Sequence, residues 1–179
     1  EQRFATAEQV RLAIVARLLR ELDWNIWNPA EVCPGYTAGG GGSTVDFALL
    51  GGDSRPLAVV AAAAPGTLGE CAASAVSLIG TVAKTSGDLI AVITDGARWH
   101  FYCMAAEAPF GDSCFKSLDI AADSVEKTVQ SLSDYLSKKR IADGAAFRDA
   151  HDYLRLGAAL KAVTELLPKP MVPIGEHPI

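Results

Sequence analysis

The sequence holds no run of about eighteen apolar residues, the length a membrane-spanning helix requires, although half of its 179 residues are hydrophobic. The opening stretch, residues 1–10, is polar and carries no leader-peptide pattern. Both absences set a cytoplasmic expectation with no membrane partner. The chain also lacks a Cys-x-x-Cys pair. Cys33, Cys71, Cys103 and Cys114 stand apart, and no histidine lies close enough in sequence to complete a zinc knuckle. Reduced thiols are the expectation, because a disulfide framework belongs to smaller secreted chains. A basic excess is missing as well: 16 Lys and Arg against 21 Asp and Glu give a net charge of −5. That argues against a protein that coats nucleic acid by charge alone. It leaves room for an enzyme whose positive charge comes from a bound divalent cation. Finally, there is no Gly-x-Ser-x-Gly elbow, and His100, His151 and His177 are far apart in sequence. Nothing in the pattern points to a Ser-His or Cys-His nucleophile.

What is present reads as one α/β domain. Thr6-Ala7-Glu8-Gln9 has the form of a capping box. Val10, Ile14, Leu18 and Leu22 follow at helical spacing, with Arg11, Arg17, Arg20 and Glu21 on the other side. The spacing predicts an amphipathic helix over 7–22. Residues 24–42 read as irregular, broken by Pro29, Pro34 and the run Gly39–Gly42. A phosphate cradle needs a strand before its glycines and a helix after them. Here a strand follows, so the run reads as a linker. Residues 43–50 and 57–60 form a predicted β-hairpin around a turn at 51–56. A helix is expected over 69–84, from the spacing of Val76, Ile79 and Val82. The apolar run 88–94 predicts a strand buried on both faces, and 98–104 returns as an aromatic strand after Asp95-Gly96. A further strand is expected over 114–120.

Asp123 and Glu126 are candidate caps of a helix through Val125, Val129, Leu132 and Leu136. That helix is expected to close on Lys138-Lys139-Arg140, whose charge suits the negative end of its dipole. A last helix spans 144–167. The expected division is therefore one domain over 1–167, a mixed sheet with flanking helices, and an extended Pro-rich tail over 168–179. The last helix and tail are candidate surfaces for a protein partner or a second copy.

The hairpin carries the chemistry. If it is symmetric about its turn, Leu50 faces Leu57, Asp46 faces Ala61 and Thr44 faces Ala63. Side chains alternate along a strand, so 61 and 63 share one face, with Asp46 about 5 Å from its partner. The second strand ends in Ala61-Ala62-Ala63-Ala64-Pro65, although alanine is a weak strand former.

An Asp on one strand, a turn, an apolar strand and then Glu-x-Lys is the layout of PD-(D/E)xK nucleases. This chain resembles that superfamily, with Asp46 at the Asp, Ala61 where the Glu would stand and Ala63 where the Lys would stand. Within it, the chain resembles the N-terminal nuclease domain of type I restriction enzyme R subunits and their short stand-alone relatives. Further matching pieces are Glu8-Gln9-Val10-Arg11, Leu22-Asp23-Trp24, Val45–Leu49 and Thr94–Tyr102, so the resemblance covers roughly 6–120.

The resemblance implies a restriction-endonuclease-like core with a C-terminal helical extension. It also implies hydrolysis of DNA with Mg²⁺ or Mn²⁺ in the active form. The catalytic positions it implies are Glu8, Asp46, Ala61 and Ala63, and the cation-ligating positions are Asp46 and Ala62. Glu8 equally suits a helix N-terminus for its own sake, and Asp46 equally suits an exposed strand face. With alanine at 61 and 63 the chain lacks a carboxylate and the nearby amine, and it has no Gln between Gln9 and Gln130. Cleavage is not expected of it, and cation binding should be weak because hard cations need several oxygens. Two origins fit: deliberate inactivation of a toxic nuclease, or a natural, decayed domain that binds or scaffolds without cutting. A third reading is a small-molecule or nucleotide sensor with its cleft near Thr94-Asp95-Gly96.

Overall fold

The computed structural model describes residues 4–37, 44–105 and 113–166. The glycine run and the Pro-rich tail lie outside the described residues. Six strands form one sheet in chain order: β1 (Val32–Thr37), β2 (Thr44–Leu50), β3 (Pro56–Ala62), β4 (Leu89–Thr94), β5 (Arg98–Met104) and β6 (Cys114–Asp119). Every neighbouring pair is antiparallel except β3–β4, which is parallel. A parallel pair needs a crossover, and α3 (Leu68–Ser86) supplies it.

The helical segments α1 (Ala7–Val10) and α2 (Ala16–Glu21) flank a π-helical stretch, Arg11–Val15. Thr6 caps α1 as anticipated. Its hydroxyl accepts the Gln9 N–H at 3.2 Å, and Gln9 Oε1 accepts the Thr6 N–H at 3.3 Å. The π stretch was not legible in the apolar spacing, since Val10, Ile14 and Leu18 fit an ordinary helix equally well.

The sheet buries both faces. On one, Val10, Val15 and Leu19 of the N-terminal helix and Leu132, Leu136, Ile141 and Ala146 of the C-terminal helices pack on Phe47, Val60, Trp99 and Phe101. On the other, Ile79 and Val82 of α3 pack on Ala48, Val59, Ala61, Ala91 and Ile93. Because β4 lies inside the sheet with helices on both sides, all six of its residues are buried, as its unbroken apolar run requires. The buried indole N–H of Trp24 donates to the Leu136 carbonyl at 2.8 Å and ties the exit of α2 to the end of α4 (Val125–Leu136).

The sequence reading needs correction at four places. Residues 32–37, read as irregular, form β1. Proline is tolerated there because β1 is an edge strand with pairing on one side only, and Pro34 pairs with Phe47. The hairpin partner of Leu50 is Pro56 rather than Leu57, owing to a register shift between Leu49 and Leu50. The cap of α4 is Ser124, whose hydroxyl accepts the Lys127 N–H, while Asp123 accepts the Asp119 N–H. Lastly, α4 stops at Leu136. Ser137 is extended, and Lys138-Lys139-Arg140 opens the short helix α5 (Lys138–Ala142) instead of closing α4. Lys138 pairs with Glu31 at 2.7 Å, and Arg140 Nε donates to the Asp134 carbonyl. Lys138 and Arg140 are thus bound into the fold, and Arg140 still meets a carbonyl in the last turn of α4 as the helix dipole favours, while Lys139 is exposed.

The last helix, α6 (Ala145–Leu166), packs through Ala146 and Ala150 and then leaves the body. Tyr153, Leu156, Leu160 and Val163 on its outer half are exposed. Among the described residues no helix is long and apolar enough to cross a membrane.

Candidate functional site

The site forms where two strands part company. Pairing between β2 and β3 runs through Leu49↔Ala58, Ala48↔Val59 and Phe47↔Val60 and then stops, whereas β3 continues beside β4 as far as Ala62↔Thr94. The Ala62 N–H therefore has no β2 backbone partner. The Asp46 side chain takes that place, with Oδ2 accepting the Ala62 N–H at 2.7 Å. The register matches the expectation: extending Phe47↔Val60 by one step sets Asp46 opposite Ala61. The carboxylate thus reaches the main chain between Ala61 and Ala63 at Ala62, and the side chain remains 28% exposed. It is neither turned away from the alanines nor sealed in hydrocarbon.

Ala61 and Ala62 point to opposite faces of the sheet, Ala61 into the core beneath α3 and Ala62 into the core beneath the N-terminal helix. Ala63 lies just past β3 and is also buried; its N–H donates to the Thr94 carbonyl at 2.7 Å. At 61 and 63 the side chains are methyl groups, with no donor or acceptor of their own. Ala62 likewise offers a cation only main-chain atoms, and its N–H is already committed to Asp46.

Glu8 arrives from the first turn of α1, so the structure gathers Glu8, Asp46 and Ala61–Ala63 in one neighbourhood. Arg11 joins them. Its guanidinium donates to Glu8 Oε1 at 2.6 Å, and Nη1 stands 3.7 Å from Asp46 Oδ1. Sequence reasoning set Arg11 among the solvent-side residues of the helix. The usable signal was its spacing: three residues after Glu8, it shares that residue's face. Burial pushes the Asp46 carboxyl above its ordinary 3.8; the Ala62 N–H and Arg11 pull it down without prevailing, and the charge of Glu8 adds to the rise.

The donor set does not fit a divalent cation. Glu8 and Asp46 supply two carboxylates with a guanidinium between them. Among the described residues no three His, Cys, Asp or Glu side chains gather where a metal could be held. Mg²⁺ and Ca²⁺ take six or more oxygens, of which protein and water must supply a well-placed set.

A second feature lies next to this one, at the carboxyl ends of β3 and β4, where open α/β sheets commonly take ligands. A cleft of about 320 Å³ is lined by Ile14, Pro65, Asp95, Gly96, Ala97 and Ile120, among others. It sits at the Thr94-Asp95-Gly96 turn singled out above. Its walls are mainly apolar, and both Asp95 oxygens are engaged. Oδ1 accepts the N–H groups of Ala97 and Arg98, and Oδ2 accepts the Arg98 guanidinium and the Gly66 N–H. Asp95 is therefore a turn-builder. His100, on β5, is held below its ordinary pKa by burial and then by Arg98. Cys33, Cys103 and Cys114 are free thiols, and burial pushes Cys103 up to about 12, which makes it inert.

Compared with known proteins, the chain matches no family model, no curated protein and no solved structure.

Proposed function

We propose that the chain is a restriction-endonuclease-like domain of the PD-(D/E)xK type, acting on DNA in its active form and carried here in a form that cannot cut. One observation carries the reading. The Asp46 carboxylate is bonded to the Ala62 N–H and opens toward solvent beside positions 61 and 63, the two places where that nuclease layout puts its Glu and Lys. Glu8, the third acid the resemblance names, reaches the same neighbourhood through Arg11. In such an enzyme Mg²⁺ or Mn²⁺ neutralises phosphate charge and activates water. The residues present here do not hold that ion, so no hydrolytic step runs through them. What they do is position: Asp46 fixes the parting of β2 from β3, and Arg11 fixes Glu8 against it.

The test is to rebuild the missing side chains. The double variant Ala61→Glu/Ala63→Lys is expected to nick or linearise plasmid DNA with Mg²⁺ or Mn²⁺. Activity should disappear with a chelator, and should fall by about 100-fold or more when Asp46→Asn is added. A folded double variant that leaves every DNA and RNA substrate intact ends the nuclease reading.

A second reading, a non-catalytic module on the same fold, draws support from the burial of Ala61 and Ala63 as methyl groups and from the exposed apolar stripe on α6. It predicts that the double variant loses stability and gains no activity.

A further inference from the structure

The site brings two carboxylates together, and the positive charge between them is already supplied by the chain itself. The Arg11 guanidinium stands between two carboxylates from different elements, Glu8 on α1 and Asp46 on β2. Its placement is built in. Arg11 opens the π-helical stretch Arg11–Val15; such stretches inside α-helices recur at functional sites. Its Nε atom is buried without a hydrogen-bond partner, so the guanidinium has given up part of its hydration to stand there.

We propose that Arg11 is the resident cation of the Glu8–Asp46 pair and that it keeps this pair closed to divalent metal ions. The physical reason is substitution of one charge for another. With Arg11 in place, the two carboxylates already share a positive group. A second cation between them would meet a like charge a few ångströms away, which opposes its binding.

The test titrates Mn²⁺ alone into the ¹⁵N-labelled full chain and follows paramagnetic broadening of the Ala62 amide, the N–H bonded to Asp46. In the parent, Ala62 is expected to broaden no earlier than amides beside ordinary surface carboxylates. In Arg11→Gln it should broaden at Mn²⁺ concentrations lower by about tenfold or more, and Arg11→Gln/Asp46→Asn should abolish the gain. Arg11→Lys, which keeps the charge, should behave as the parent. Equal titrations of Arg11→Gln and the parent overturn the proposal, and so does an Arg11→Lys variant that takes up Mn²⁺ as Arg11→Gln does. If Arg11→Gln does not fold, the parent still decides: selective early broadening of Ala62 in the unaltered chain overturns it.

Discussion

Asp46 and Asp95 both stand at the carboxyl end of the parallel pair β3–β4, and their surroundings drive them in opposite directions. Burial alone would raise both. At Asp95 it is outweighed by the N–H groups of Arg98 and Ala97 and by the Arg98 guanidinium, so the carboxyl is held below 3.8. Asp46 has one strong donor, the Ala62 N–H, and an arginine shared with Glu8, and burial prevails. Donors decide the outcome at Asp95, and burial decides it at Asp46. A carboxylate with every lone pair engaged stabilises a turn. One left short of donors, at a gap in the sheet with an opening to water, is held in a state that only a function or an accident of descent explains.

The larger cost is expected at Asp95. Asp95→Ala removes the acceptor for three backbone N–H groups and leaves Arg98 without its partner; a loss of roughly 2–4 kcal/mol is expected, the exposure of Arg98 tempering it. Urea unfolding measures this, and a loss no greater than that of Asp46→Asn would erase the distinction. Next is the turn itself. Gly96 has a φ of +89°, and a Cβ there would lie 2.7 Å from Ile14 Cδ1. Gly96→Ala is expected to lose about 1–2 kcal/mol. Pairing it with Ile14→Val should recover the steric part and leave the backbone part, which the melting temperature of the double variant would show.

The smallest effect sharpens the contrast most. Asp46→Asn is expected to stay within about 1 kcal/mol of the parent at neutral pH, because the amide can still accept the Ala62 N–H and carries no ionisation penalty. The pH dependence follows from the signs. Asp95, lowered, contributes stability that is present above its unfolded pKa and is lost as pH falls through its folded value. Asp46, raised, contributes stability that is complete below its unfolded pKa and is lost as pH rises through its folded value. Replacing Asp95 should therefore flatten the acid limb of the stability curve. Replacing Asp46 should steepen it, an outcome that acid titrations of chemical unfolding would check.

Local chemistry made much of the chain legible. The Thr6 capping box, the strand lengths of 44–50 and 98–104, and the unbroken apolar run of β4 each announce their element through short-range physics. The hairpin register, inferred from symmetry about the turn, put Asp46 opposite Ala61. Beyond that point, neighbours absent from the local sequence take over. β1 escaped notice because a proline and a glycine inside it suppress the strand signal, and only its place at the sheet edge makes them acceptable. The division between α4 and α5 depends on Lys138 reaching Glu31 and on the Leu136 carbonyl meeting Trp24.

By itself the sequence determined the main helices and every strand except β1, along with the one acid and the two alanines around which a functional reading could be built. Tertiary structure decided the circumstances of those residues: that β2 leaves β3 after Phe47, that Asp46 fills the gap with a single hydrogen bond, and that Arg11 stands between it and Glu8. Periodicity reports a side chain's own face and nothing of what the opposite element brings to it. The charge balance of a site is a property of several elements at once, and it exists only when they are packed together.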